Sequence, residues 1–180
     1  MKKAIVILLA VCILCSTVGC SALENLNTPA EPVRKLFLQE SYNLQIMADE
    51  TFYEKTGGSF DLQLTNDTAY ISIMAYRYEE LPEGTTARDV YDIQNQDIFS
   101  KREAVTEIEK TTTFSLPQGE VIYGVHTAKR DGNENYYITY LVDLPEAQTL
   151  AWVLVTALPS HYSNNKEHLH NIVCSLTAAE

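Results

Sequence analysis

Imidazoles, thiols and carboxylates are the groups from which metal sites and nucleophiles are built, and this chain has four histidines, four cysteines and 24 acidic residues to build them with. His168 and His170 are the closest histidine pair. Two residues apart on a helix, they point about 200° away from each other and cannot chelate one ion, whereas on a strand they would share a face. The stripe around them, Leu169, Ile172, Val173 and Leu176, has the helical period, so no metal site is expected. His126 and His161 stand alone. No serine lies in a GxSxG setting, and no base is tied by sequence to a nucleophile. Gly57 and Gly58 lack the later glycine and lysine of a phosphate-binding loop. Asp131, Gly132, Asn133 and Glu134 have the acidity of a calcium loop, but the run is too short and lacks a distant glutamate; it reads as a hairpin turn. No catalytic residue, metal or cofactor is therefore expected.

Tyrosine is the side chain in excess: eleven, against five phenylalanines and one tryptophan. Tyr70, Tyr76 and Tyr78 fall on one face of a predicted strand, and Tyr136 and Tyr140 on one face of another. A ring with a polar tip suits a surface that binds a sugar, a peptide or a protein, and it suits equally the wet edge of a sheet beneath a helix. Tyr70, Tyr76 and Tyr78 form the candidate binding face.

The chain opens with Lys2 and Lys3, runs apolar from Ala4 to Cys15, and continues Ser16, Thr17, Val18, Gly19, Cys20. A charged start, a short apolar run and a small residue before a cut are the parts of an export signal, and the run is too short to span a bilayer as a mature helix. Val18, Gly19 and Cys20 resemble the lipobox of bacterial lipoproteins, with Thr17 where an aliphatic residue is usual. The resemblance implies that Cys20 receives a diacylglycerol and becomes the new N-terminus. The alternative is an ordinary signal peptide cut near Ser21 or Ala22, leaving a free secreted domain. Two acyl chains make a stable anchor where one does not, because burial is worth about 0.8 kcal/mol per CH₂. Ser21 after the cysteine resembles the residues that permit transfer to an outer membrane where the cell has one. In a bacterial chain the Asn66, Asp67, Thr68 sequon carries no meaning.

Removing the signal leaves about 160 residues, enough for one domain with one core. The charge shifts from −11 to about −13, which argues against nucleic acid or an anionic lipid face as the partner. With Cys12 and Cys15 discarded and Cys20 lipidated, Cys174 has no disulfide partner and reads as a small buried hydrophobe. Residues 1–19 are thus read as signal peptide, 20–33 as a tether with Pro29 and Pro32, and 34–180 as a single domain.

Within that domain the periods alternate. Strands are expected at about Tyr42–Asp49, at Phe60, Leu62 and Leu64, and at Ala69–Tyr78, where Ala69, Ile71, Ile73 and Ala75 share a face. Thr86 with Asp89 opens a helix to about Lys101, with a stripe of Ala87, Val90, Ile93 and Ile98 and Tyr91 near its edge. Three strands follow: one around Val121, Tyr123 and Val125; one around Tyr136, Ile138, Tyr140 and Val142; and Thr149–Leu158, apolar on both faces around Trp152 and expected to be central. Asn164 with Glu167 opens a closing helix that is expected to cover Trp152.

This order predicts an α+β domain, helices packed on a mainly antiparallel sheet. From about Tyr42 to Leu176 the arrangement resembles the PsbP/Mog1-like fold, found also in small bacterial lipoproteins. The resemblance rests on element order and apolar pattern rather than on a short motif. It implies a domain that binds partners or steadies assemblies, with no shared active site to carry over. The reading is a non-enzymatic, lipid-anchored module on the extracytoplasmic side of the cell membrane. Its partners would be the membrane, through the lipid on Cys20, and an envelope protein or glycan, with no nucleic acid. An envelope hydrolase and a small substrate-binding lipoprotein are the rival readings. A chain beginning at Val33 should fold as a soluble monomer in reducing buffer, because the core lies downstream of the tether; circular dichroism and sedimentation check this, and an aggregated or molten product would count against it.

Overall fold

The computed structural model describes residues 33–179; the signal segment, Cys20 and the tether to Pro32 lie outside them. Strands β1 (Arg34–Gln39) and β2 (Leu44–Asp49) form a hairpin, and the short β10 (Thr177–Ala178) joins β2 to complete a three-stranded sheet. A seven-stranded antiparallel sheet is built from β3 (Tyr53–Glu54), β4 (Leu62–Thr65), β5 (Ala69–Arg77), β6 (Glu103–Leu116), β7 (Gly119–Arg130), β8 (Asn133–Leu144) and β9 (Thr149–Ala157). Its order is β3-β4-β5-β9-β8-β7-β6. Helix α1 (Ala87–Ser100) follows β5, and α2 (Pro159–Cys174) follows β9. The domain is α+β and mainly antiparallel, as the element order predicts.

Strand β9 is central, and its alternation divides the core in two. Ala151, Val153, Val155 and Ala157 point to one face, where they pack with Ile71, Ile73, Phe37, Ile46 and the α2 residues Leu169, Ile172 and Val173. Leu150, Trp152 and Leu154 point to the other, where they pack with Val90 and Tyr91 of α1. A strand that is apolar on both faces needs a layer on each side, and the two helices with the small sheet supply them.

Helix α1 begins as expected: Thr86 Oγ1 accepts from the Asp89 amide at 3.2 Å, and Asp89 accepts from the Thr86 amide at 2.8 Å. Its buried stripe is rotated from the expected one. Ile93 is 59% exposed and Tyr91 is fully buried. At 100° per residue Tyr91 lies with Ala87 and Ile98 at the centre of the apolar sector, while Ile93 falls beyond its edge. Gly124 of β7 accommodates that ring: a Cβ there would meet Tyr91 Oη at 2.6 Å. The hydroxyl instead reaches Thr139 Oγ1 at 2.9 Å.

Four other expectations change. Helix α2 starts at Pro159, five residues before Asn164, because proline suits the first helical position; the Asn164–Glu167 signal marks a kink at Asn165 (φ −130°, ψ 15°). Leu176 is buried but lies past the helix end. Strand β2 begins at Leu44, since Asn43 is left-handed (φ 53°) after a single 3₁₀ turn. Phe60 precedes β4 and packs on the α1 side, apart from Leu62 and Leu64. Strand β6 has no counterpart in the sequence reading. It is an edge strand of 14 mostly exposed residues, interrupted by three register shifts, so it shows no buried period to detect. The Asp131–Gly132 turn does join β7 to β8, with both residues at positive φ (52° and 79°), as a two-residue hairpin of this twist requires.

Trp152 is fully buried under α1, not under the closing helix, and its Nε1 donates to Asn95 Oδ1 at 3.2 Å. Trp152→Ala should cost about 3–5 kcal/mol, as large aromatic truncations in cores do. Thermal unfolding should show a drop on the order of 10 °C for a domain of this size. A shift within the scatter of surface variants would refute this packing.

Candidate functional site

A cavity of about 490 Å³ opens on the α1 side of the main sheet. Its floor is made by strand positions that face α1: Tyr70 of β5, Tyr137 of β8 and Leu154 of β9, closed by Phe60 and by Ile98 from the last turn of α1. Tyr137 and Leu154 are buried, so the floor is fixed by the core itself. The size is that of a small-molecule site.

Three cations from separate segments meet at its rim: Lys55 after β3, Arg102 after α1 and Arg130 at the end of β7. Arg102 is oriented by two bonds, Nε donating to Tyr137 Oη at 2.9 Å and Nη1 to the Lys101 carbonyl at 3.0 Å. Its guanidinium lies 5.4 Å from the centre of the Tyr137 ring. Lys55 Nζ stands 5.2 Å from the centre of the Tyr70 ring. Arg130 is exposed, with Asp131 at 3.6 Å. Asp67 is the single carboxylate in the lining, and it already accepts from Tyr53 Oη at 2.6 Å. In a chain with 24 acidic and 13 basic residues, this cavity reverses the sign of the whole.

The tyrosines of the candidate face do not form one surface. Tyr70 borders the large cavity, and Tyr78 borders a second one of about 370 Å³ beside Leu81, Pro82 and Ala87. Six strand residues separate Tyr70 from Tyr76, about 20 Å at 3.3 Å each. Helix α1 runs between the two cavities, its first turn at one and its last turn at the other. Tyr76 is half-buried and packed in the core beneath it, and burial followed by the nearby Asp61 pushes its hydroxyl up to about 12. Tyr78 donates to Asp143 in a short bond. Tyr136 and Tyr140 face the α2 side, Tyr136 stacked on Tyr162 at 4.1 Å. Tyr137, Lys55, Arg102 and Arg130 carry the cavity and none was singled out by the sequence pattern.

The α2 side holds a polar network. Glu109 of β6 accepts from Tyr123 Oη at 3.0 Å, from Tyr162 Oη at 3.4 Å and from Lys166. Burial works against its charge, but these partners outweigh burial and hold its carboxyl below the usual value. His170 Nδ1 lies 3.2 Å from Tyr140 Oη, and its Nε2 lies 3.3 Å from Cys174 Sγ. Cys174 is half-buried rather than a core residue, and one turn of helix brings it under His170. Burial pushes the thiol up and the imidazole down, so each keeps its neutral form at neutral pH. His168 turns the other way, its Nε2 2.5 Å from Asp49 Oδ2 of β2. His126 packs against Phe99 with ring centres 4.5 Å apart and planes tilted by 42°, and its Nδ1 is buried without a partner among the described residues.

Comparison with solved structures places the fold. The chain is similar to cyanobacterial PsbP (CyanoP) from Synechocystis, with a TM-score of 0.59 and 8% identity over 83% of this chain and 96% of that one. It is similar to the Ran-binding protein Mog1p of Saccharomyces cerevisiae, with a TM-score of 0.57 and 7% identity over 83% and 97%. A variant of Mog1 matches at 0.56 and 8%, over 82% and 97%. The fold is therefore PsbP/Mog1-like. No family model matches the chain, and no curated protein matches it.

Burial lowers the imidazoles of His126, His161 and His170 below their ordinary 6.5, so the unfolded chain binds more protons than the folded one. Their contribution to stability is present above about pH 6.5 and is lost as pH falls through the depressed folded values. The melting temperature should fall between pH 7 and pH 5. His126→Phe keeps the ring against Phe99, removes the unpartnered nitrogen and should flatten part of that slope. An unchanged slope in this variant would mean His126 titrates freely.

Proposed function

We propose that this chain is a lipid-anchored, extracytoplasmic binding or assembly module of the bacterial cell envelope that works without catalysis. The observation that carries the binding role is the preformed cavity beneath α1, whose floor is core and whose rim is cationic. A ligand or a partner's side chain meets there a floor that is already ordered, which lowers the cost of binding. The Val18, Gly19, Cys20 pattern supports the anchor and the envelope location. The fold supports a protein partner to the extent that one similar structure is of a Ran-binding protein. An envelope protein or glycan is the partner proposed here.

The contact between Cys174 Sγ and His170 Nε2 is the one feature that favours the rival, a hydrolase. A thiol nucleophile needs its pKa lowered and donors aimed at a developing oxyanion. Burial raises this one, and the hydroxyls nearest to His170 and Glu109 are engaged with those two groups. The pair therefore reads as packing at the end of α2.

Cys20→Ala should abolish lipid labelling and move the protein out of the detergent phase and the membrane fraction. Continued labelling, or an unaltered membrane fraction with no lipid on the wild-type chain, would overturn the anchored reading.

A further inference from the structure

We infer that the Tyr70 cavity is a site for a small organic anion, a carboxylate or phosphate carried on an aromatic or apolar body. The inference rests on the reading of that cavity as a binding site and deepens it by naming the ligand's chemistry. Two independent features fix the class. The first is charge: Lys55, Arg102 and Arg130 arrive from three segments spread over 75 residues of a chain whose net charge is −11, and they outnumber the one carboxylate in the lining, Asp67. Neither Lys55 nor Arg102 makes an ion pair among the described residues; Arg34, Lys35, Lys110 and Lys129 make none either, so what marks these two is their convergence on one apolar cavity. Two positive groups left without a carboxylate in so acidic a protein are available for a ligand's.

Shape is the second feature. The Arg102 guanidinium is held beside Tyr137 by bonds through Nε and Nη1 to its own protein, which leaves Nη2 as a donor free for an oxyanion. Below that rim lie the half-buried rings of Tyr70 and Phe60, which an inorganic ion would leave uncovered, over a floor of buried Tyr137 and Leu154. A volume of about 490 Å³ admits a ring and its anionic group together. The orientation follows: body inward against Tyr70 and Phe60, anion outward between Lys55 and Arg102. Because the protein as a whole repels anions, binding has to come from these short contacts. It should weaken as salt rises; an anion that felt only the overall charge would bind better in salt.

The test is a calorimetric titration of the full chain in nonionic detergent, against a protein-free blank, with phenyl phosphate, benzoate, inorganic phosphate and benzyl alcohol as probes. Phenyl phosphate or benzoate should bind at one site in the millimolar range or tighter, and inorganic phosphate and benzyl alcohol at least about tenfold more weakly. Arg102→Gln should weaken the bound anion about tenfold, Lys55→Gln, which disturbs only a contact with Tyr70, several-fold, and Lys166→Gln, at the other face of the sheet, not at all. Benzyl alcohol equal to the anions would overturn the charge assignment while leaving the cavity a binding site. Equal binding of inorganic phosphate would overturn the apolar body. Anion binding indifferent to both Arg102→Gln and Lys55→Gln, or no binding of either aromatic anion, would overturn the site. The anchored reading is decided separately, by the lipid on Cys20.

Discussion

Burial of β9 on both faces is the constraint from which the rest of the architecture follows. Trp152, Leu150 and Leu154 on one side and Ala151, Val153 and Val155 on the other leave no face for water, so the strand must lie at the middle of a sheet with a layer above and below. At about 25 cal/mol per Å² the tryptophan and its aliphatic neighbours are the largest local source of stabilisation. Their two environments differ. The α2 face carries small side chains beneath β1, β2 and α2, whereas the α1 face carries the indole and two leucines beneath a single helix.

That single helix makes the cavity. A helix of 14 residues is about 21 Å long and covers only part of a seven-stranded sheet, so the sheet positions beyond its ends are open. Tyr78 lies at one end and Tyr70 at the other, and each end becomes a cavity floored by core residues. The chain leaves α1 at the Tyr70 end through Lys101 and Arg102. Cations there are favourable to the negative end of the helix dipole, and this local reason to place Arg102 at the site holds whether or not a ligand is bound. Lys55 and Arg130 have no such local reason.

The elements that carry the core were legible because their burial has a period. The alternation in β5, β7 and β8, the two-faced apolar run of β9 and the Thr86 capping box all reflect side chains whose surroundings repeat along the chain. Strand β6 was illegible for the same reason inverted: at an edge, with register shifts and charged side chains, it has no buried period, and its one signal is the strand preference of Val105, Thr106, Ile108, Thr111, Thr112, Thr113 and Phe114. Ile93 shows a limit of another kind, since an apolar residue can sit just outside the buried sector of a short helix at little cost. The site was less legible than the fold. Lys55, Arg102, Arg130 and Tyr137 are brought together by strand order alone, and strand order is not a property of any local window.

The tyrosine excess shows how composition and topology divide the work. A ring with a hydroxyl was expected to mark either a binding surface or the wet edge of a sheet, and most of these rings take the second place. Tyr91, Tyr123, Tyr140 and Tyr162 each lay a ring against a helix–sheet contact and send the hydroxyl to a partner there: Thr139, Glu109, His170 and Glu109. These rings tie α1 and α2 to the sheet through bonds that leucine could not make. Tyr70 differs, since it stands at the end of β5 beyond the helix that would cover it, with Lys55 over its face. A tyrosine under a helix contributes to packing, and the same residue past the helix end stays open to a cavity, so helix length decides which surroundings each position has. Shortening α1 by a turn at its C-terminal end would uncover Tyr137 and widen the cavity; lengthening it would close Tyr70 over.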